Sequence, residues 1–254
     1  MKKLLVGAAA AAALIAPGVA SADTQGAIDF NYETTDYDTG SDFDQWSLGG
    51  GFATDFSHGL RVQLDGRTTQ QEWNGGGGDY SHGYAAAHVS GDLAGFNVGG
   101  FAGFLNYYGD GATLLGVEAR RGFGNISLNG SIGHADFGDD NGYDGTSYRL
   151  GGSYFFMPNF AVSAGYGLTN IDDSFQDSDI TEWNVGAAYQ FSNNIELYGA
   201  YVDSENDRSI SGDYEFETFQ VGMRLNFNGG TLQDNANGGL WNAARQISET
   251  WARW

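Results

Sequence analysis

The chain has 254 residues with 11 Lys and Arg against 32 Asp and Glu, a formal charge of −21, and no cysteine. Such a surface repels nucleic-acid phosphates, and the fold must hold by burial and hydrogen bonding rather than by disulfides. Aromatic residues reach 15%, which disordered acidic chains do not carry, so the chain folds.

Met1-Lys2-Lys3 supplies a basic start, Leu4 to Ala16 an apolar run too short to cross a bilayer, and Ala20-Ser21-Ala22 a small-x-small cleavage site. These features predict a signal peptide over residues 1–22, cleaved after Ala22. Lys2 and Lys3 are the only lysines, which leaves nine arginines against 32 carboxylates in the exported part. No later stretch has the roughly eighteen continuous apolar residues of a membrane-spanning helix.

From Asp23 to Phe227 an alternating apolar/polar stretch, an acidic Gly-rich loop, a second alternating stretch and a short turn recur six times, about 34 residues apart. The short turns sit at Asp55 to Gly59, Gly91 to Ala94, Gly122 to Gly124, Met157 to Asn159 and Ser192 to Asn194. Apolar spacing of two excludes a helical solenoid, so each repeat is a β-hairpin and six hairpins make twelve strands. Ile28, Phe30 and Tyr32 alternate with Asp29, Asn31 and Glu33. Leu115, Val117 and Ala119 alternate with Glu118 and Arg120, and Phe219, Val221, Met223, Leu225 and Phe227 close the series.

A soluble β-sandwich shows the same alternation with its apolar face inside. Two features favour the inverse. Phe56, Phe96, Phe123, Phe156, Phe160, Phe191 and Phe227 lie next to short turns. Tyr32, Trp46, Trp73, Tyr84, Tyr107, Tyr148, Tyr166, Trp183 and Tyr201 lie next to long loops. These are two aromatic belts. The polar face also carries Arg, Asp, Glu, Gln and Asn in mid-strand, which suits a water-filled lumen. In lipid every backbone group must be paired within the protein, so the sheet has to close into a barrel.

Export signal, twelve alternating strands, aromatic belts, short turns and the final strand Phe219 to Phe227 together resemble the bacterial outer-membrane β-barrel and porin-like proteins, over Asp23 to Phe227. The resemblance implies an antiparallel up-and-down barrel with periplasmic turns and acidic extracellular loops. It also implies outer-membrane lipid, lipopolysaccharide and the barrel-assembly machinery as partners, and passive passage of small hydrophilic solutes or ions. Such barrels usually stop at the terminal aromatic, whereas this chain continues for 27 residues. In that extension, residues 228–254, Leu240, Ala244, Ile247, Trp251 and Trp254 share one helical face, with Arg245, Glu249 and Arg253 away from it. The expectation is a periplasmic amphipathic helix that lies on the membrane, plugs the lumen or meets a periplasmic partner.

Twelve strands enclose more than side chains alone fill. The residues expected to line the pore and set its selectivity are Arg61, Asp65, Arg67, Glu118, Arg120, Arg149, Glu182 and Arg224. They read either as paired struts that stiffen the wall or as an arginine ladder facing carboxylates across a constriction. Acids slightly outnumber arginines, which leaves the sign of selectivity open.

The loops carry aspartate clusters that solvate the surface. The run from Phe137 to Asp144, with Asp139, Asp140 and Asp144, is the best place for a divalent cation, but it lacks the Glu that ends a helix-loop-helix calcium site. No other cofactor is expected. His88-Val89-Ser90, followed by Asn97, has the spacing of an outer-membrane lipid hydrolase. It lies beside the Gly91 turn, on the wrong rim for outer-leaflet lipid. A non-conducting structural or adhesive barrel is the other alternative to a channel.

Overall fold

The computed structural model describes residues 24–253 apart from 41, 57–58, 75–77, 108, 139–142, 174–176, 192–193 and 211. The signal segment 1–22, the turn residues Ser57, His58, Ser192 and Asn193, the candidate ligands Asp139 and Asp140, and Trp254 lie outside the described residues. Twelve strands follow in order: β1 (Thr24–Tyr37), β2 (Asp42–Asp55), β3 (Arg61–Asn74), β4 (Asp79–Leu93), β5 (Phe96–Tyr107), β6 (Asp110–Phe123), β7 (Ile126–Asp136), β8 (Tyr143–Met157), β9 (Phe160–Asp173), β10 (Ser178–Gln190), β11 (Ile195–Arg208) and β12 (Tyr214–Phe227). Each pairs antiparallel with its sequence neighbours, and β1 closes on β12 from Gly26 opposite Phe227 to Tyr37 opposite Phe216.

Closure leaves no strand edge unpaired, the one way a sheet can live in hydrocarbon. The faces are inverted relative to a soluble protein. Leu115, Val117, Leu150 and Val221 are more than half exposed, while Asn31, Glu33, Gln63, His88 and Glu182 on the opposite face are 1% exposed or less. A sandwich would reverse those values, so the barrel reading stands and the sandwich falls.

On one rim the connections run from two residues, at β4–β5, β6–β7 and β8–β9, to five at β2–β3, and on the other from two at β5–β6 to six at β7–β8. The short-turn belt holds: Phe56, Phe96, Phe123, Phe156, Phe191 and Phe227 are all exposed. The opposite belt needs correction at three positions. Tyr84 and Tyr107 are buried inside, and Trp73 stacks on Tyr37 and Phe43 within the mouth. Strand phase explains this, because Trp73 follows Arg67, Thr69 and Gln71 on the inner face of β3, and Tyr84 lies between His82 and His88 on that of β4.

Beyond β12 come two helices, α1 (Leu232–Gly238) and α2 (Ala243–Arg253). A capping box starts α1: Thr231 Oγ1 accepts from the Asp234 N–H at 3.2 Å, and an Asp234 carboxylate oxygen accepts from the Thr231 N–H at 2.9 Å. The Gly239 N–H, donating to Asn235 O at 2.7 Å, closes it. Of the three placements expected for this segment, the structure shows the one inside the lumen, where it runs from the short-turn rim up the inside of the barrel. Leu232 packs on Phe155 and Ala161 by the β8–β9 turn, and Tyr37 at the far end of β1 donates its hydroxyl to Arg253 O at 2.7 Å. Ala243, Ala244, Ile247 and Trp251 join an apolar cluster with Ala86, Phe101, Leu105, Leu114 and Ala135 from the inner faces of β4 to β7. An apolar patch inside an otherwise wet lumen attracts the one segment able to cover it.

Candidate functional site: the barrel lumen and its plug

The lumen charges are arranged in rows that cross three strands. On β3, β2 and β1 the row is Arg67, Gly49, Asp29; on β8, β9 and β10 it is Arg149, Gly167, Glu182. In both rows the arginine reaches over the glycine to ion-pair with the carboxylate two strands away. Neighbouring strands lie about 4.8 Å apart, so only a long side chain passing over a bare backbone can span the gap. A Cβ at Gly49 would stand 3.0 Å from Asp29 Oδ1 and 3.2 Å from Arg67 Nε, and one at Gly167 3.2 Å from Arg149 Nη1. Those glycines are the floor of the ion pairs.

The plug completes these rows from within. Arg67 Nη1 also meets Glu249 of α2 at 3.0 Å. Arg253 joins two rows, with Nη1 3.1 Å from Glu182 Oε1 and Nη2 3.3 Å from Glu33 Oε2. Thr250 hydrogen-bonds both Glu182 and Arg149. Glu33 is further held by Gln45 at 2.5 Å, Asn31 at 2.7 Å and Gln220 at 2.9 Å. Burying ions is costly unless the remaining lone pairs and protons find partners; both carboxylate oxygens of Glu33 and of Glu182 have them, while the Nε groups of Arg67, Arg149 and Arg253 do not among the described residues.

Lower down, the α1–α2 connection is gripped by two wall residues. The Gln63 amide donates to Trp241 O at 2.9 Å and accepts from the Trp241 N–H at 2.7 Å. Arg120 lies 4.1 Å above the Trp241 ring and donates to Gly239 O at 2.8 Å. The wall makes room for the plug by omitting side chains. A Cβ at Gly133 would overlap Ile247, one at Gly145 would crowd Trp251 and one at Gly122 would strike Asn237.

α2 leans on β4 to β7, so the opposite side of the lumen stays open. A cavity of about 370 Å3 remains there, bounded by Gly151, Ser163, Gly165, Gly186, Ala188 and Ala200 on the wall and by Asn235, Arg245 and Glu249 on the plug. Asp29, Arg149, Glu196 and Arg224 also line it. Arg224 pairs with Glu196 at 3.3 Å and faces the Tyr198 ring. Above, rings crowd the mouth: Tyr37, Phe43, Trp73, Tyr214 and Phe216 form one cluster, and Tyr107, Phe137, Tyr143 and Trp251 another.

All eight residues expected to line the pore face inward, but in separate groups. Arg67, Arg149 and Glu182 bind the plug. Arg61 pairs with Asp55 at 3.2 Å near the short-turn rim. Asp65 and Glu118 flank His88, at 2.9 Å from Nε2 and 2.6 Å from Nδ1. Arg120 holds the Trp241 connection, and Arg224 borders the cavity. Of Arg245, Glu249 and Arg253, expected to face away from the helix's packed side, Glu249 and Arg253 are turned into the charged wall, and Arg245 pairs with Glu249 at 3.5 Å beside the cavity. Sequence reasoning also passed over Gln63, Trp241 and the inner apolar patch. Leu114-Leu115 and the Phe101 to Leu105 run, where alternation fails, were the available signals.

The His88/Ser90 pair forms no relay. Both ring nitrogens face carboxylates, and Ser90 Oγ is buried without a hydrogen-bond partner. Among the described residues no three His, Cys, Asp or Glu side chains are grouped to hold a metal. Asp144 is 4.0 Å from His134, and Asp136 accepts from the Gly138 N–H at 2.7 Å.

The family described as Gram-negative porin matches residues 50–209, well over half the chain, so this chain belongs to the Gram-negative porins. It is a porin-like channel protein of the outer membrane. No curated protein sequence matches it. Among solved structures it is similar to an outer membrane channel from Pseudomonas putida F1, at 16% identity and a TM-score of 0.61, over 80% of this chain and 95% of that one. It is also similar to the CymD monoaromatic hydrocarbon channel, at 10% identity and a TM-score of 0.54, over 81% and 88% of the two chains. A TodX deletion mutant, also a monoaromatic hydrocarbon channel, aligns at 11% identity and a TM-score of 0.53, over 85% and 94%. At such identities the likeness speaks for the barrel fold alone.

Proposed function

We propose that this porin is a narrow diffusion channel for small hydrophilic solutes and ions, with its path confined between the C-terminal plug and the small-residue wall of β8 to β11. The observation that carries this reading is the cavity of about 370 Å3 beside α2, lined by ions of both signs and by glycine, alanine and serine. Arg149 facing Glu182 and Arg224 facing Glu196 set a transverse field along it, the arrangement by which narrow pores select solutes. The acidic outer loops concentrate cations at the mouth. The proposed role is non-enzymatic, which fits a His88 ring held between Asp65 and Glu118 and a Ser90 Oγ without a hydrogen-bond partner among the described residues. Export by a leader cleaved after Ala22 belongs to the same proposal, and Asp23 is the N-terminal residue expected from protein extracted from outer membranes.

The test is conductance. Refolded protein in a planar bilayer should give small, discrete current steps, and the reversal potential across a salt gradient should report which ion passes. Absence of steps from correctly folded protein would favour a second reading, a sealed structural barrel, which the two ring clusters at the mouth support.

A further inference from the structure

The nine arginines are distributed with a single exception to the inside of the barrel. Arg61, Arg67, Arg120, Arg149 and Arg224 face the lumen, and Arg245 and Arg253 belong to the plug. Arg208 turns inward at the mouth, where its guanidinium donates to Tyr214 Oη at 2.9 Å. Arg121 alone stands on the lipid-facing row of β6, after Leu115, Val117 and Ala119 and before Phe123. It sits close to the short-turn rim. Its guanidinium carbon lies 4.7 Å from the Phe96 ring centroid and 4.9 Å from that of Phe123, both rings of the aromatic belt. No carboxylate among the described residues lies within ion-pairing reach of it, in a chain of formal charge −21.

A cation at the edge of hydrocarbon is costly, and neither aromatic face offers a hydrogen-bond acceptor to its five N–H donors. The anions that meet the lipid-facing surface at this depth are headgroup phosphates of the leaflet on the short-turn side. A planar guanidinium binds such a phosphate through two parallel bonds while its stem stays in the apolar layer. We propose that Arg121, seated between Phe96 and Phe123, is a binding site for the phosphate of a glycerophospholipid in the periplasmic leaflet. The site adds to the polarity of the barrel's charges: carboxylates crowd the outer loops, and the one lipid-facing arginine marks the inner rim.

The proposal rests on the outer-membrane reading, so the test begins with insertion. Full-length protein and the variants Arg121→Gln, Arg121→Lys and Phe123→Leu are refolded into vesicles, and heat-modifiable gel migration scores folding. The folded protein is then extracted in detergent, and retained phosphatidylglycerol is counted by native mass spectrometry. Wild type should hold one lipid that Arg121→Gln binds roughly fivefold more weakly, the ratio expected for one basic residue worth about 1 kcal/mol at a lipid surface. Arg121→Lys should keep part of the affinity, and Phe123→Leu, which keeps the apolar bulk, should lose some of it. If Arg121→Gln does not fold, an unchanged lipid count in both Arg121→Lys and Phe123→Leu overturns the site. Equal lipid binding by folded Arg121→Gln overturns it outright. Displacement of the lipid by millimolar inorganic phosphate would make it a general anion site and equally overturn the lipid assignment. A chain that inserts into no vesicle sinks the outer-membrane reading itself, a result distinguishable from all of these.

Discussion

One half of the lumen wall is greasy and filled, the other is small, charged and hollow. From β4 to β7 the inner face presents Ala86, Phe101, Leu105, Leu114 and Ala135, and α2 lies against it. From β8 to β11 it presents Gly151, Ser163, Gly165, Gly186, Ala188 and Ala200, and the cavity lies there. The two halves share antiparallel hydrogen bonding and an apolar outer face, and they differ in what lines the lumen. Burial of Ile247 and Trp251 supplies the attraction for the plug, and the ion pairs of Arg67, Glu182 and Glu33 with α2 set its height and rotation. Separating the two roles explains why a polar channel keeps a hydrophobic patch in its interior.

The largest test of that contrast is removal of the filled half's occupant. A chain ending at Asn228 should still fold, because every strand and its closure are complete, and its single-channel conductance should rise several-fold over that of the full chain. An unchanged conductance would mean that the plug leaves the lumen in solution and that the contrast between the halves has no functional weight. A smaller effect is expected from weakening the apolar contact alone. Trp251→Ala deletes a fully buried ring and should cost the docked plug about 3–5 kcal/mol. The peptide bonds after Arg245 and Arg253 should then become cleavable by trypsin in the folded barrel, whereas the parent resists. Persistent resistance would assign docking to the ion pairs instead.

The smallest change targets the hollow half. Gly167→Val raises a branched side chain where Arg149 crosses to Glu182, and breaking that pair should leave the barrel folded. Its expected signature is a shift in reversal potential with little change in conductance. If the potential stays at the parent value, the Arg149–Glu182 pair does not sense the permeating ion.

Much of this molecule was legible before folding. Period-two alternation from Ile28 to Phe227 dictated strands and their number, and the aromatic belts with the charged mid-strand face decided that the apolar face meets lipid. Charged side chains at alternate positions had to face the lumen, and all eight expected pore residues do. The tail's apolar spacing marked a helix. The choice among its three expected destinations was not legible: it required knowing that Ala86, Phe101, Leu105 and Leu114, distant in sequence, share one inner patch.

What only the tertiary structure decided is pairing across strands. Composition shows arginines, carboxylates and glycines in abundance, but registers decide that Gly49 stands between Arg67 and Asp29 and that Gly167 stands between Arg149 and Glu182. Barrel closure and strand stagger bring together residues that no local pattern links, and Arg253 reaches Glu33 across 220 positions of chain in the same way. Local hydrophobicity acts along a strand and can be read along it; ion pairs act across the lumen and exist only once the cylinder has closed.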